Sequence, residues 1–220
     1  MARSEAKRQK KLAKKKAKRG EKRRDIASTQ SIGLAERLGR LQAAPVLDCL
    51  VTEDFESEGI ANLLIGRQAA TGEVGVGMFL VDLYCLGVKD CMGKVTTFGE
   101  YRDFRENFAS RGVRRIDPPS ACRLINDAVE YASSLGFAPH PDFRRVQPIL
   151  TGIDPAQARE TFAMGKDGNP FYVCGPHDSA TKSQRIIAQL DARCGRGGFH
   201  FLTPVGSVRQ AGDGRVLVLR

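Results

Sequence analysis

Residues 73–88 read EVGVGMFLVDLYCLGV, and that stretch decides the fold class. Val74, Val76, Met78 and Leu80 share one face of an extended segment, while Phe79, Val81 and Leu83 share the other. A strand that is apolar on both faces has to be covered on both sides, so it is expected to be the central strand of its sheet. Upstream, VLDCLVTED (46–54) and GIANLLIGRQAATG (59–72) read as two further strands. The Ala-Thr-Gly turn at 70–72 makes the second and third strands an antiparallel hairpin.

Downstream the apolar period changes from two to about 3.6. TFGEYRDFRENFASRG (97–112) places Tyr101, Phe104, Arg105 and Phe108 at helical spacing. PPSACRLINDAVEYASSLG (118–136) is the clearest helix: Pro118 and Pro119 open it, Cys122, Ile125, Val129 and Ala132 form its stripe, and Gly136 closes it. Residues 137–158, with four prolines, read as a connector holding a short helix around DFRRVQPIL. The last third reads as a β-α-β-β unit. It comprises a strand in 166–175, a helix over 178–195 capped by Asp178 or Ser179, a strand in 197–205, and a final strand in 212–220. The expected architecture is α+β, with a small, mostly antiparallel sheet whose central strand is 73–88, helices in the middle, and a C-terminal unit that completes the same sheet.

Ahead of the strands, residues 25–44 carry Ile32, Ala35, Leu38 and Leu41 at three-residue spacing, a short amphipathic helix closed by Pro45. Residues 1–24 differ in kind. Thirteen are Lys or Arg and two are Glu, a charge of +11, whereas the remaining 22 basic and 23 acidic side chains leave residues 25–220 at −1. All of the net +10 therefore sits in an arm. Dense like charge without an apolar stripe opposes a stable helix, so the arm is expected to be disordered in isolation, attached to one globular domain over 25–220. The arm has no apolar face for a membrane surface, and the longest apolar run, Met78–Val81, is too short to span a bilayer. No membrane partner is expected.

A basic arm on a near-neutral body is the charge pattern of attachment to a polyanion. The arm residues expected to contact phosphates are Lys7, Arg8, Lys10, Lys11, Lys14, Lys15, Lys16, Lys18, Arg19, Lys22, Arg23 and Arg24. With no aromatic side chain to stack on bases, the arm reads charge and not sequence. Its expected partner is nucleic acid or the ribosome, with RNA favoured. The plainer reading is a solubilising tail on a module that binds another protein.

Asp82 interrupts the apolar run of the central strand, where a carboxylate is costly unless it is bonded or paired. Strand-borne acids also assemble the ions of metal-dependent nucleases, and three strands followed by helices and a later β-α-β unit would suit a ribonuclease-H-like topology. On that alternative, a nuclease or phosphotransferase would use Asp82 with Asp48 or Asp90. The plainer reading is an Asp held by an Arg, by backbone amides or at a bulge. LGVKDCMGK (86–94) reads as a turn after the central strand; Gly87, Lys89, Asp90, Gly93 and Lys94 sit there, but the order is not a phosphate-binding P-loop. In CGPHDSATKSQR (174–185), a helix N-terminus with Ser179, Thr181, Lys182 and Arg185 has the chemistry of an anion site, with His177 beside it; an Asp178 cap would oppose an anion there.

His140, His177 and His200 are isolated, and Cys85 and Cys91 have no second pair at zinc spacing, so neither a metal nor a cofactor is expected. Six cysteines without a secretory signal read as reduced thiols of a cytoplasmic protein. No nucleophile motif is present. The sequence therefore points to a non-catalytic RNA- or ribosome-associated protein.

Overall fold

The computed structural model describes residues 33–203. A helix, α1, covers residues 33–39 and is followed by a five-stranded sheet. Its strands are β1 (Val46–Thr52), β2 (Ile60–Gln68), β3 (Glu73–Asp82), β4 (Gly87–Thr97) and β5 (Val113–Arg115), in the spatial order β4-β3-β2-β1-β5. Every pairing in it is antiparallel. The helices are α2 (Phe55–Glu58), α3 (Phe98–Ala109), α4 (Pro118–Ser134) and α5 (Phe143–Val146), the last running into a 3₁₀ turn at Gln147–Leu150. A separate parallel pair, β6 (Phe171–Val173) and β7 (His200–Leu202), flanks α6 (Ala180–Cys194). The fold is α+β.

The two faces of the strongest strand separate as its alternation requires. Phe79 and Val81 lie in the larger core with α4, α5 and Leu38 of α1. Val74 and Val76 lie in a second core under α3, with Tyr101 and Phe108. The hairpin of β2 and β3 forms in continuous register from Ile60–Asp82 to Gln68–Val74. Two helix starts follow the sequence: Pro118 opens α4 and Ser179, one of the two expected caps, caps α6, while Thr97 and Asp117 cap α3 and α4.

Three expectations are corrected. The strand read as 73–88 ends at Asp82; residues 83–86 are a turn, and β4 begins at Gly87. The turn stays apolar because Cys85 and Leu86 are buried against Tyr172, Ile186 and Leu190 of the C-terminal unit, so burial there did not mark a strand. Gly87 has φ 64°, and a Cβ would lie 2.8 Å from the Ala128 carbonyl oxygen, so only glycine fits this re-entry. The stretch 86–94 is consequently most of a strand and not a loop. Finally, the β-α-β unit does not complete the main sheet but forms its own, which removes the premise of the ribonuclease-H-like comparison. The arm 1–24, residues 25–32 and the strand expected in 212–220 lie outside the described residues. Among the described residues, no helix is long and apolar enough to cross a membrane.

Candidate functional site at the end of β3

Three of the stretches singled out in the sequence meet where β3 turns into β4. Asp82 is 3% exposed. Its Oδ1 accepts the backbone N–H groups of Tyr84 and Cys85, each at 2.9 Å, and so holds the turn shut. Its Oδ2 lies 3.8 Å from Nζ of Lys89 on β4. Burial pushes the Asp82 carboxyl above the usual carboxylate range, against the pull of the backbone N–H bonds and Lys89. The Lys89 ammonium also reaches Gly175, where a Cβ would lie 3.8 Å from Nζ. Lys89 thus stands between the main sheet and the loop before α6.

That loop is tied by Asp178. Its Oδ2 accepts from the Gly175 N–H at 2.9 Å and from the Tyr172 hydroxyl at 3.0 Å, and Oδ1 lies 2.6 Å from Nζ of Lys182. The Lys182 ammonium and the Gly175 and Tyr172 donors hold the Asp178 carboxyl below its ordinary range, although burial pulls the other way. The Tyr172 hydroxyl also meets Ser183 Oγ at 2.9 Å, and the Cys174 thiol meets the same oxygen at 3.4 Å. Of the four residues expected to hold an anion, Ser179 accepts the Lys182 N–H as helix cap and Lys182 is paired with Asp178; Thr181 and Arg185 are exposed. His177 is exposed beside them. The N-terminus of α6 is therefore a capped helix start with a carboxylate beside it.

Asp48 lies elsewhere, on β1 next to a bulge. It is 7% exposed, and its Oδ2 accepts from the Tyr101 hydroxyl at 2.9 Å. Arg105 Nε lies 2.9 Å from the same oxygen, and Arg115 reaches Oδ1 at 3.2 Å. Burial, with the Asp48 carboxylate beside it, pushes the Tyr101 phenol well above its ordinary range. Tyr101 fits because Gly66 lies beneath its ring; a Cβ on Gly66 would sit 2.6 Å from the hydroxyl. The cluster borders a cleft of about 320 Å³ between Val46–Cys49 and Arg115–Pro118.

Across the sheet, Asp48 faces Gly66, which faces Val76 on β3, six residues from Asp82. Strand spacing and rise therefore put Asp48 and Asp82 on the order of 20 Å apart. Asp90 is on β4 and mostly exposed; its Oδ1 accepts the Cys91 N–H at 2.8 Å and lies 3.8 Å from His140 Nε2. The three carboxylates do not share a centre. Among the described residues, no three His, Cys, Asp or Glu side chains gather as a metal site.

The sequence reading missed how Asp48 is held, though a signal was present: Arg105 occupies the apolar stripe of α3, where a charged residue implies a buried partner. It also missed Arg67, 4% exposed. The Arg67 guanidinium donates to the carbonyls of Ile149, Gln42, Ala44 and Thr151 at 2.5–2.9 Å, binding β2 to the end of the α1 segment and to the 3₁₀ turn. Comparison with protein-family models, with curated proteins and with solved structures finds no match for this chain.

Proposed function

We propose that this chain is a non-catalytic RNA- or ribosome-associated protein, anchored to its polyanion through residues 1–24. The observation that carries the reading is the segregation of charge, +11 in the first 24 residues against −1 in all the rest. Each phosphate that the arm neutralises releases counterions, which drives association without reading bases. The body supports the reading by what its acids do. Asp82 closes a turn, Asp48 anchors α3 and β5 to β1, and Asp178 ties a loop, so the buried carboxylates are bound within the fold. The nuclease or phosphotransferase alternative needs Asp82 to converge with Asp48 or Asp90; Asp48 lies on the order of 20 Å from Asp82, and among the described residues no three His, Cys, Asp or Glu side chains gather. A cytoplasmic location accords with six free thiols, four of them buried.

The test is binding of a labelled single-stranded RNA to the full chain and to a full-length variant with Lys14, Lys15, Lys16 and Lys18 changed to Glu. The reading predicts loss of most of the affinity in the variant. Equal binding by the two chains would remove the arm from the account.

A further inference from the structure

Among the described residues, β4 is an edge strand of eleven residues, paired only with β3. The register and alternation fix which of its backbone groups face outward. Glu73 of β3 directs its carbonyl toward the β2 side, where it accepts from Ala69, so Val74, Val76, Met78 and Leu80 bond to β4. Their partners Thr96, Lys94, Met92 and Asp90 point inward, and Val88, Cys91, Gly93, Val95 and Thr97 point outward. Two outward groups are satisfied: the Val88 carbonyl accepts the His140 N–H at 2.9 Å, and the Cys91 N–H donates to the Asp90 carboxylate. From Gly93 onward, the outward backbone groups have no backbone partner among the described residues.

The surface beside this edge is apolar around Met92 and Val95 and polar at Lys94 and Thr96, which meet Glu100. Among the described residues, α3 packs over Val74, Val76 and Leu64, the half of that face beside Lys94 and Thr96. Met78 and Leu80 are only partly buried, and Met92 on β4 is 48% exposed. On the opposite face, Val95 and Leu34 of α1 are also partly buried. A strand laid along the edge would meet Met92 and then Lys94 and Thr96 on one face, and Val95 on the other.

The chain itself contains a segment with the sequence pattern of such a strand. In residues 212–220, GDGRVLVLR, an extended backbone would carry Val216 and Val218 on one face and Leu217 and Leu219 on the other, after a Gly-Asp-Gly sequence that favours a turn. The described chain ends at Thr203, just after β7. β7 pairs with β6, whose Phe171 N–H bonds the Tyr84 carbonyl in the turn from which β4 starts. Thr203 to Val216 spans up to roughly 40 Å, and the open edge begins roughly 20 Å along β4 from that turn, so the segment reaches it. Arg215 and Arg220 flank the apolar four, while the exposed carboxylates of Asp90 and Glu100 lie toward the two ends of the open edge. We propose that residues 212–220 of this chain add to β4 as a sixth strand of the main sheet, its Val and Leu side chains covering Met92 on one face and Val95 on the other.

Amide hydrogen exchange on the full chain tests this, resolved at Gly93 and Val95 and compared with Val218→Pro and Leu217→Asp in the full-length protein. The expected result is exchange at Gly93 and Val95 slower by about tenfold or more in the unaltered chain. That protection should be lost in both variants, while Met92 and Lys94, bonded to β3, stay protected in all three. Equal exchange at Gly93 and Val95 in the three chains overturns the proposal. Protection that rises with protein concentration, together with the mass of a dimer, also overturns it and assigns the edge to a second copy of the chain.

Discussion

The hydroxyl of Tyr101, on α3, donates to Oδ2 of Asp48, on β1, across 2.9 Å. With Arg105 on the same oxygen and Arg115 on the other, this bond fixes α3 across the sheet. Tyr101→Phe removes one buried hydrogen bond and is expected to cost about 1–2 kcal/mol. Asp48→Ala also orphans the phenol and both guanidinium partners. Because Arg115 is mostly exposed and Arg105 one third exposed, the expected cost is about 2–3 kcal/mol and not that of a fully buried pair. Gly66→Ala should act through the same bond, by pushing the ring off its seat. Urea unfolding of the three variants measures all of this, and a Tyr101→Phe change within about 0.3 kcal/mol of the parent would contradict it.

Asp82 predicts a pH signature. Its folded pKa is raised by burial, so the stability that it contributes is fully present below its unfolded value of about 3.9 and is lost as pH rises through the folded value. The Asp82→Asn variant keeps an acceptor for the Tyr84 and Cys85 N–H groups and does not titrate. Relative to that variant, the parent chain should be most stable below about pH 4 and fall behind as pH rises. Asp82→Ala leaves both N–H groups unpaired and is expected to cost about 2–4 kcal/mol. A parent-to-Asn difference that does not change between pH 3.5 and pH 7 would show that the carboxyl keeps an ordinary pKa.

Arg67 is a buried cation held by carbonyl oxygens alone. Arg67→Met strands four carbonyls from two separate chain segments and should destabilise by about 3–5 kcal/mol. Arg67→Lys, with three donors against the four contacts now made, should fall between the parent and the Met variant. Chemical denaturation orders the three. A Lys variant as stable as the parent would show that the planar guanidinium is not required.

The thiols give a fourth, cheaper check. Burial pushes Cys49 and Cys91 up to about 12, and it raises Cys85 and Cys122 as well. Only Cys174 and Cys194 are partly exposed. A thiol reagent at pH 8 should label at most these two in the folded protein and all six after unfolding. Rapid labelling of Cys122 under native conditions would contradict the packing of α4.

Much of the fold was legible because its signals are local. The alternation in 73–82 assigned Val74 and Val76 to one core and Phe79 and Val81 to the other. Pro118 and Ser179 marked helix starts, because a first turn leaves backbone donors open and needs none from proline. The turn at 83–86 was hidden because it is buried by the C-terminal unit, through Tyr172, Ile186 and Leu190, which are far away in sequence. A buried turn and a buried strand have the same apolar composition, and only the Asp82 bonds to Tyr84 and Cys85 separate them. The three-residue β5 was hidden too, since Val-Arg-Arg carries no alternation and forms only by pairing with β1. At the candidate site, the sequence identified Asp82, Lys89 and Asp178 as separate features. That all three meet at the end of β3 depends on how α6 docks, which no spacing reveals.

The most direct measurement of the central claim is the salt dependence of RNA binding. Association constants for a single-stranded RNA would be measured between 50 and 300 mM salt, for the full chain and for a chain starting at Asp25. If roughly 6–10 of the arm's cations each neutralise a phosphate, log K for the full chain should fall against log salt with a slope of about −4 to −7, and the shortened chain should lose binding across the range. Equal affinity and equal slope in the two chains would contradict the account and move the nucleic-acid contact from the arm to the folded body.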